Sequence, residues 1–187
     1  MSPTRTPRRW FGRGVREGLA VLLLLAGLAL GGGEARAQQG AITARATVLQ
    51  PLQVSGVWSL EFQTVLRNRR TTVAPTNVYS GTFSVTGQAG AQIAVSFALP
   101  TGLVRVGGTE VMPIGTYTGC VAAVYPLGGN PCTAFTPGAA PSTVTLTGGL
   151  RFFYIGGTVD TRPAVAGTLP DGSYRGSIVM TASYTGN

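Results

Sequence analysis

Beyond residue 50, apolar and polar side chains alternate in short runs. Trp58, Leu60 and Phe62 interleave with Ser59, Glu61 and Gln63. Phe83 and Val85 sit between Thr82, Ser84 and Thr86, and Ile93, Val95, Phe97 and Leu99 interleave with Ala94, Ser96 and Ala98. Val144 and Leu146 lie between threonines. A period of two belongs to a strand with one face buried. Near the end, Tyr174, Ile178, Met180, Ala182 and Tyr184 fall on one face of a further run. Residues 150–155 (LRFFYI) are apolar on both faces except at Arg151, which predicts a central strand. Turn residues bound these runs at Thr86-Gly87, Gly107-Gly108, Gly129-Asn130-Pro131, Gly156-Gly157 and Asp171-Gly172. Helical spacing is missing, and 28 glycines argue further against helices. Short strands at this spacing, with no helices between them, predict an all-β sandwich or barrel.

The first 37 residues follow a different pattern. Arg5, Arg8, Arg9, Arg13 and Arg16 precede an unbroken apolar run at residues 18–30, and Ala35-Arg36-Ala37 closes the segment. A positive start, a short apolar stretch and a small-x-small site make a secretory signal peptide. The run of 13 residues is too short for the ~20 that span a bilayer. The rival reading is a buried N-terminal helix or membrane anchor. Cleavage is expected after Ala37, leaving residues 38–187 as one domain. Arg8-Arg9-Trp10-Phe11 is also compatible with twin-arginine export, though the strongly apolar run fits the general secretory route better.

Removing the leader changes the charge. It holds six of the 14 basic residues and two of the six acids. What remains is eight arginines against four acids, a net +4, with no lysine and no histidine. The basic character that would suggest nucleic acid or a membrane surface belongs mostly to the leader. No nucleic-acid partner and no transmembrane segment are expected of the mature chain. Its only cysteines are Cys120 and Cys132. An even pair in an exported chain reads as a disulfide. A metal site is the rival, but two thiols without histidine fall short of a ligand set.

Catalytic chemistry is hard to assemble from what is left. Without histidine there is no Ser-His-Asp triad and no imidazole base. The mature acids are Glu61, Glu110, Asp160 and Asp171; Glu61 lies on an apparently outward strand face and Asp171 in a turn. The glycine pairs match no phosphate loop, which needs a lysine and a following helix. The expectation is a non-enzyme with no catalytic residue, no metal and no cofactor.

Two features stand apart. The loop at Arg67, Asn68, Arg69 and Arg70 reads either as an anionic-ligand patch or as a solvated connector running on to Asn77. The pattern Pro-x-Gly-(Thr/Ser)-Tyr-x-Gly occurs at residues 113–119 and 170–176, each expected to open a strand with its tyrosine turned inward.

In order, these segments resemble the domain-of-unknown-function family 4402, a relative of spore-coat-U and fimbrial-subunit domains. Residues 44–54 (ARATVLQPLQV) resemble its opening A-x-A-T-V-x-x-P-L-x-V, and Trp58-Ser59-Leu60-Glu61-Phe62 its L-x-F segment. The family usually has glycine after that phenylalanine, where this chain has Gln63. Residues 83–87 (FSVTG), 156–159 (GGTV) and 166–184 resemble its later strands. The stretch 112–137, with both cysteines, reads as a disulfide-containing elaboration. The resemblance implies an immunoglobulin-like antiparallel β-sandwich at the cell surface, and it implies no catalytic residues.

The expected function is an exported, non-catalytic, fimbria-like surface protein assembling by strand addition, with other surface or pilus subunits and a periplasmic chaperone as partners. Only residues 38–43 precede the opening motif, so the chain is expected to accept a strand rather than donate one. The alternative is a secreted binding module for a glycan or other surface ligand, with Arg67, Arg69, Arg70, Tyr117, Tyr125 and Phe135 as contact candidates. A third class, an outer-membrane barrel, is disfavoured by short strands without aromatic girdles.

Overall fold

Among the described residues of a computed structural model, 39–163 and 167–186, eleven strands form two antiparallel sheets. The expected leader lies outside the described residues. The chain divides into two units, residues 1–46 and 47–187, and all the strands belong to the second.

The larger sheet is built around β9 (Leu150–Asp160). One edge of β9 pairs with β6 (Val111–Ala122) along most of its length. The other edge is shared: β3 (Gly81–Thr86) takes its first half and β2 (Arg70–Val73) its second. β1 (Gln53–Trp58) extends the sheet beyond β3. β5 (Gly102–Arg105) and β10 (Tyr174–Arg175) extend it beyond the start of β6, and β7 (Thr133–Phe135) pairs with the end of β6. The smaller sheet runs β11–β4–β8, with β11 (Val179–Tyr184) and β8 (Ser142–Thr145) flanking β4 (Gln92–Ala98).

The sheets face each other over one core. Ile93, Val95, Phe97 and Met180 from the smaller sheet, with Leu146 just past β8, pack against Val85, Phe153 and Ile155 of the larger. Phe97 and Phe153 each contact Phe135, stacked at 5.6 Å and edge-on at 5.9 Å between ring centroids. This is the all-β sandwich that the alternation predicts, with β3, β4 and the central β9 where the pattern places them.

Several expectations change. Gly156-Gly157 is not a turn but the middle of β9. At Gly156 the neighbour on one edge changes from β3 to β2, and the backbone of residues 73–75 passes so close that a Cβ would lie 2.4 Å from the Val73 carbonyl oxygen. Glycine is needed there for approach, not for reversal. Arg70 to Val73, expected in a loop, is β2. The run Trp58, Leu60, Phe62 is not a strand beyond Trp58: the β1–β3 register slips between Gly56 and Trp58, and Gln63 takes φ 53. Leu60 and Phe62 still face inward, packing against a second core cluster of Met112, Ile114, Val159 and Leu169. The final run is two strands. Tyr174 belongs to β10 and the second cluster, while Ile178 and the residues after it join the first.

The first Pro-x-Gly-Thr-Tyr-x-Gly copy opens nothing, because it lies inside β6. There the pairing with β9 slips by one residue between Gly115 and Thr118, with Thr116 at φ 46. The bulge absorbs the extra residue and lets Ile114, Tyr117 and Gly119 all serve the inner face. The second copy does open a strand, β10, at its own Tyr174. Of the stretch 112–137, residues 112–122 belong to β6; the excursion out of the sheet is residues 123–132.

Candidate functional site

The disulfide joins Cys120 in β6 to Cys132 just ahead of β7, with Cα atoms 5.6 Å apart. The excursion it closes folds over the outer face of the large sheet, where Cys120, Ala122 and Leu127 bury Tyr154. Burial, and to a lesser degree Tyr125, push the Tyr154 phenol up to about 12. It therefore stays protonated and donates to the Val124 carbonyl at 2.6 Å. Tyr125 lies half-exposed against Phe152, ring centroids 5.6 Å apart.

The arginine loop is held by specific partners. Arg67 pairs with Asp171 at 2.9 Å on the surface. The main chain of Arg69 is bound on both sides by Thr161, whose Oγ1 accepts from the Arg69 amide and whose own amide donates to the Arg69 carbonyl at 2.8 Å, while its hydroxyl donates to the Leu66 carbonyl at 2.7 Å. Arg70 reaches Asp160, which also accepts the Arg162 guanidinium, Nε to Oδ1 at 2.9 Å. Arg162, then its own amide and Arg70, hold the Asp160 carboxyl well below the usual carboxylate range, against the opposing effect of burial. Tyr117 is half-buried between the two inner clusters, and its hydroxyl donates to the Pro100 carbonyl at 2.6 Å. Burial raises this phenol to about 12 as well. None of the contacts of Tyr117 or Tyr125 described here involves Arg67, Arg69 or Arg70. No cluster of three or more potential metal ligands occurs among the described residues, and none of their helices is long and apolar enough to cross a membrane.

A broad concavity lies elsewhere. Over the first core the second layer is a sheet; over the second cluster it is chain segments carrying Leu60, Phe62 and Val65 on one side and Leu169 on the other, with Tyr174 of β10 packed beside them. Between them opens a groove of about 1150 Å³, bounded by residues 56–65 and 171–178. Phe83, Leu103, Met112, Ile114 and Val159 of the large sheet border it, the last three themselves buried, and its surface mixes apolar residues with polar ones such as Thr64, Ser173 and Ser177. The groove meets two strand edges. β1 is paired only to β3 and β11 only to β4 among the described residues, and the groove reaches residues 56–58 of one and Ile178 beside the other.

β1 shows how open this side is. Val54 stands opposite the fully buried Val85, which places it on the inner face, yet it is 37% exposed. Trp58 is 53% exposed. An edge strand with an uncovered apolar inner face is a template for another strand. None of Arg67, Arg69, Arg70, Tyr117 and Tyr125 lines this groove. No protein-family model and no curated protein matches this chain.

Proposed function

We propose that this chain is an exported, non-catalytic structural domain of the cell surface, fimbria-like in role, which accepts an extended strand from a partner subunit. The observation that carries this reading is the groove beside the unpaired edges of β1 and β11. A strand laid there would have main-chain bonds from a free edge and apolar contacts from Trp58, Leu60 and Phe62 along one side. The Cys120–Cys132 disulfide supports a compartment outside the reducing cytoplasm. The same motifs that resemble family 4402 support a relationship to fimbrial-subunit domains, and the two facing antiparallel sheets are compatible with an immunoglobulin-like arrangement.

The test is thermal unfolding of the exported chain with and without alternating apolar–polar heptapeptides, read together with amide exchange at residues 56–58. Peptides that raise the midpoint and protect those amides support the acceptor role. A cooperative monomer indifferent to every peptide refutes it and favours a self-sufficient binding domain.

A further inference from the structure

The outer face of the large sheet carries an exposed aromatic pair. Phe153 and Ile155 point into the core, so Phe152 and Tyr154 point out, and the excursion buries Tyr154. Phe152 stays partly exposed beside Tyr125, which is 43% exposed. The support under Tyr125 is fixed. Its neighbour Val124 accepts the Tyr154 hydroxyl, Leu127 is buried, and Cys132 ties the far end of the excursion to β6. The hydroxyl of Tyr125 itself is free. Tyr117, Tyr154, Tyr174 and Tyr184 each donate to a main-chain carbonyl, whereas the Tyr125 hydroxyl has no partner among the described residues. Tyr79, ahead of β3, shares that freedom.

From Phe152 the face runs on without charge. Ser84 of β3 lies opposite Phe152 and Ser55 of β1 opposite Ser84, a row about 10 Å wide. The next row is Leu150, Thr86 and Gln53. It meets a shallow pocket of about 400 Å³ whose lining, Gln50, Gln53 and Thr86 with Gly87, Gly148 and Gly149 among others, includes no charged residue. Arg151 alternates away from this face, and its guanidinium donates to the Thr147 and Leu150 carbonyls.

We propose that this face is a binding site for a neutral glycan, with sugar rings stacked on Tyr125 and Phe152 and the chain running across Ser84 and Thr86 into the pocket by Gln53. A tyrosine ring held in place gives contact area at little entropic cost. A pyranose offers it an apolar C–H face. The sugar's hydroxyls both donate and accept, as do the side chains of Ser84, Thr86 and Gln53. The charge of the face decides against other ligands. An ion would find no counter-charge here and would lose its hydration. A protein surface would leave the hydroxyl rows short of partners, and one ring pair is too little for the apolar centre of a protein interface. None of Tyr125, Phe152, Ser84, Thr86 and Gln53 borders the groove beside β1 and β11, so the site stands independently of strand acceptance.

The experiment titrates the exported full chain with neutral β-linked hexaoses of glucose, mannose, xylose and N-acetylglucosamine, and with polygalacturonate as the anionic comparison, following backbone amide shifts. The expected result is binding of at least one neutral hexaose, with shifts at residues 53–55, 84–86 and 148–149. Tyr125→Ala should weaken that binding at least about tenfold, while Tyr125→Trp should match or exceed the wild type. Gln53→Ala/Thr86→Ala leaves the excursion intact. Both side chains are exposed, so the pair should weaken binding about fivefold with little change in the unfolding midpoint. If none of the neutral hexaoses binds, the proposal is overturned. If one binds with an affinity that neither variant changes, the sugar site lies elsewhere and this face is refuted. Binding of polygalacturonate alone refutes a neutral ligand and points to the exposed arginines instead.

Discussion

Tyr184, the last residue of β11, donates its hydroxyl to the carbonyl of Gln50 at 2.7 Å, while the same oxygen accepts the Gln88 amide at 2.7 Å. One phenol thus ties the end of the smaller sheet to the turn after β3 and to the segment entering β1. The turn is shaped around it, since a Cβ on Gly87 would lie 2.4 Å from the Tyr184 oxygen. Tyr184→Phe keeps the ring and removes both hydrogen bonds. The expected cost is about 1–2 kcal/mol in denaturant unfolding, with faster amide exchange at Gln88. An unchanged midpoint would mean that the phenol contributes nothing to holding residue 50.

The disulfide closes a loop whose ends are 12 residues apart. In the chain-entropy account such a crosslink contributes about 3 kcal/mol by restricting the unfolded chain. For a domain of this size that corresponds to a midpoint drop of about 6–12 °C on reduction. Cys120→Ala/Cys132→Ala should give a similar drop, since both sulfurs lie at a covered face. Its local signature is exposure of Tyr154, which loses part of the cover that keeps its phenol near 12. Spectroscopic titration should therefore find one tyrosine ionising at lower pH in the reduced or double-alanine form than in the oxidised one.

Asp160 sets an acid limit to stability. Its folded-state carboxyl is held below the ordinary value of 3.8 by Arg162 and Arg70, so its contribution is fully present above that value. As pH falls below about 4, the unfolded chain takes up the proton first and the contribution is progressively lost. Asp160→Asn should be less stable than the wild type at pH 7, and the gap between the two midpoints should narrow below about pH 4. A gap that stayed constant across that range would show that the charge on Asp160 is not what stabilises β2 against β9.

Much of the sandwich was legible because alternation is a direct consequence of burying one face. It identified β3 and β4 in the right phase and β9 as the central strand, and the cysteine pair pointed to a crosslink that the structure contains. The misreadings share a physical cause: a local pattern cannot show which neighbour supplies the rest of the ladder. Leu60 and Phe62 are correctly inward, but the chain leaves β3 at the register slip, so they cover the core as a segment rather than a strand. Arg67, Arg69 and Arg70 looked like a charged connector because their acceptors, Asp171, Thr161 and Asp160, lie about a hundred residues away. The groove was invisible for the same reason, being defined by what the second layer does not cover. Gln63 is the converse case. The resemblance has glycine there, and Gln63 at φ 53 adopts the left-handed conformation that glycine would take.

Two glycines in the paired strands β6 and β9 separate the requirement for close approach from mere tolerance. At Gly156 a Cβ would meet the Val73 carbonyl oxygen at 2.4 Å and the Pro75 nitrogen at 2.7 Å, both main-chain atoms that cannot swing away as a side chain can. At Gly115, on the neighbouring β6, a Cβ would meet nothing within 4 Å. Gly156→Ala must push β2 off the edge of β9, breaking the pairing that holds Arg70 beside Asp160. Its expected cost is about 2–4 kcal/mol. Gly115→Ala gains the lower unfolded-chain entropy of alanine without a clash and should be neutral or stabilising by up to about 1 kcal/mol. Equilibrium unfolding of both variants checks the pair. A mild Gly156→Ala would mean that β2 is readily displaced, whereas a severe one with faster amide exchange confined to residues 70–73 would fix the close approach of β2 as the reason for glycine in the middle of the central strand.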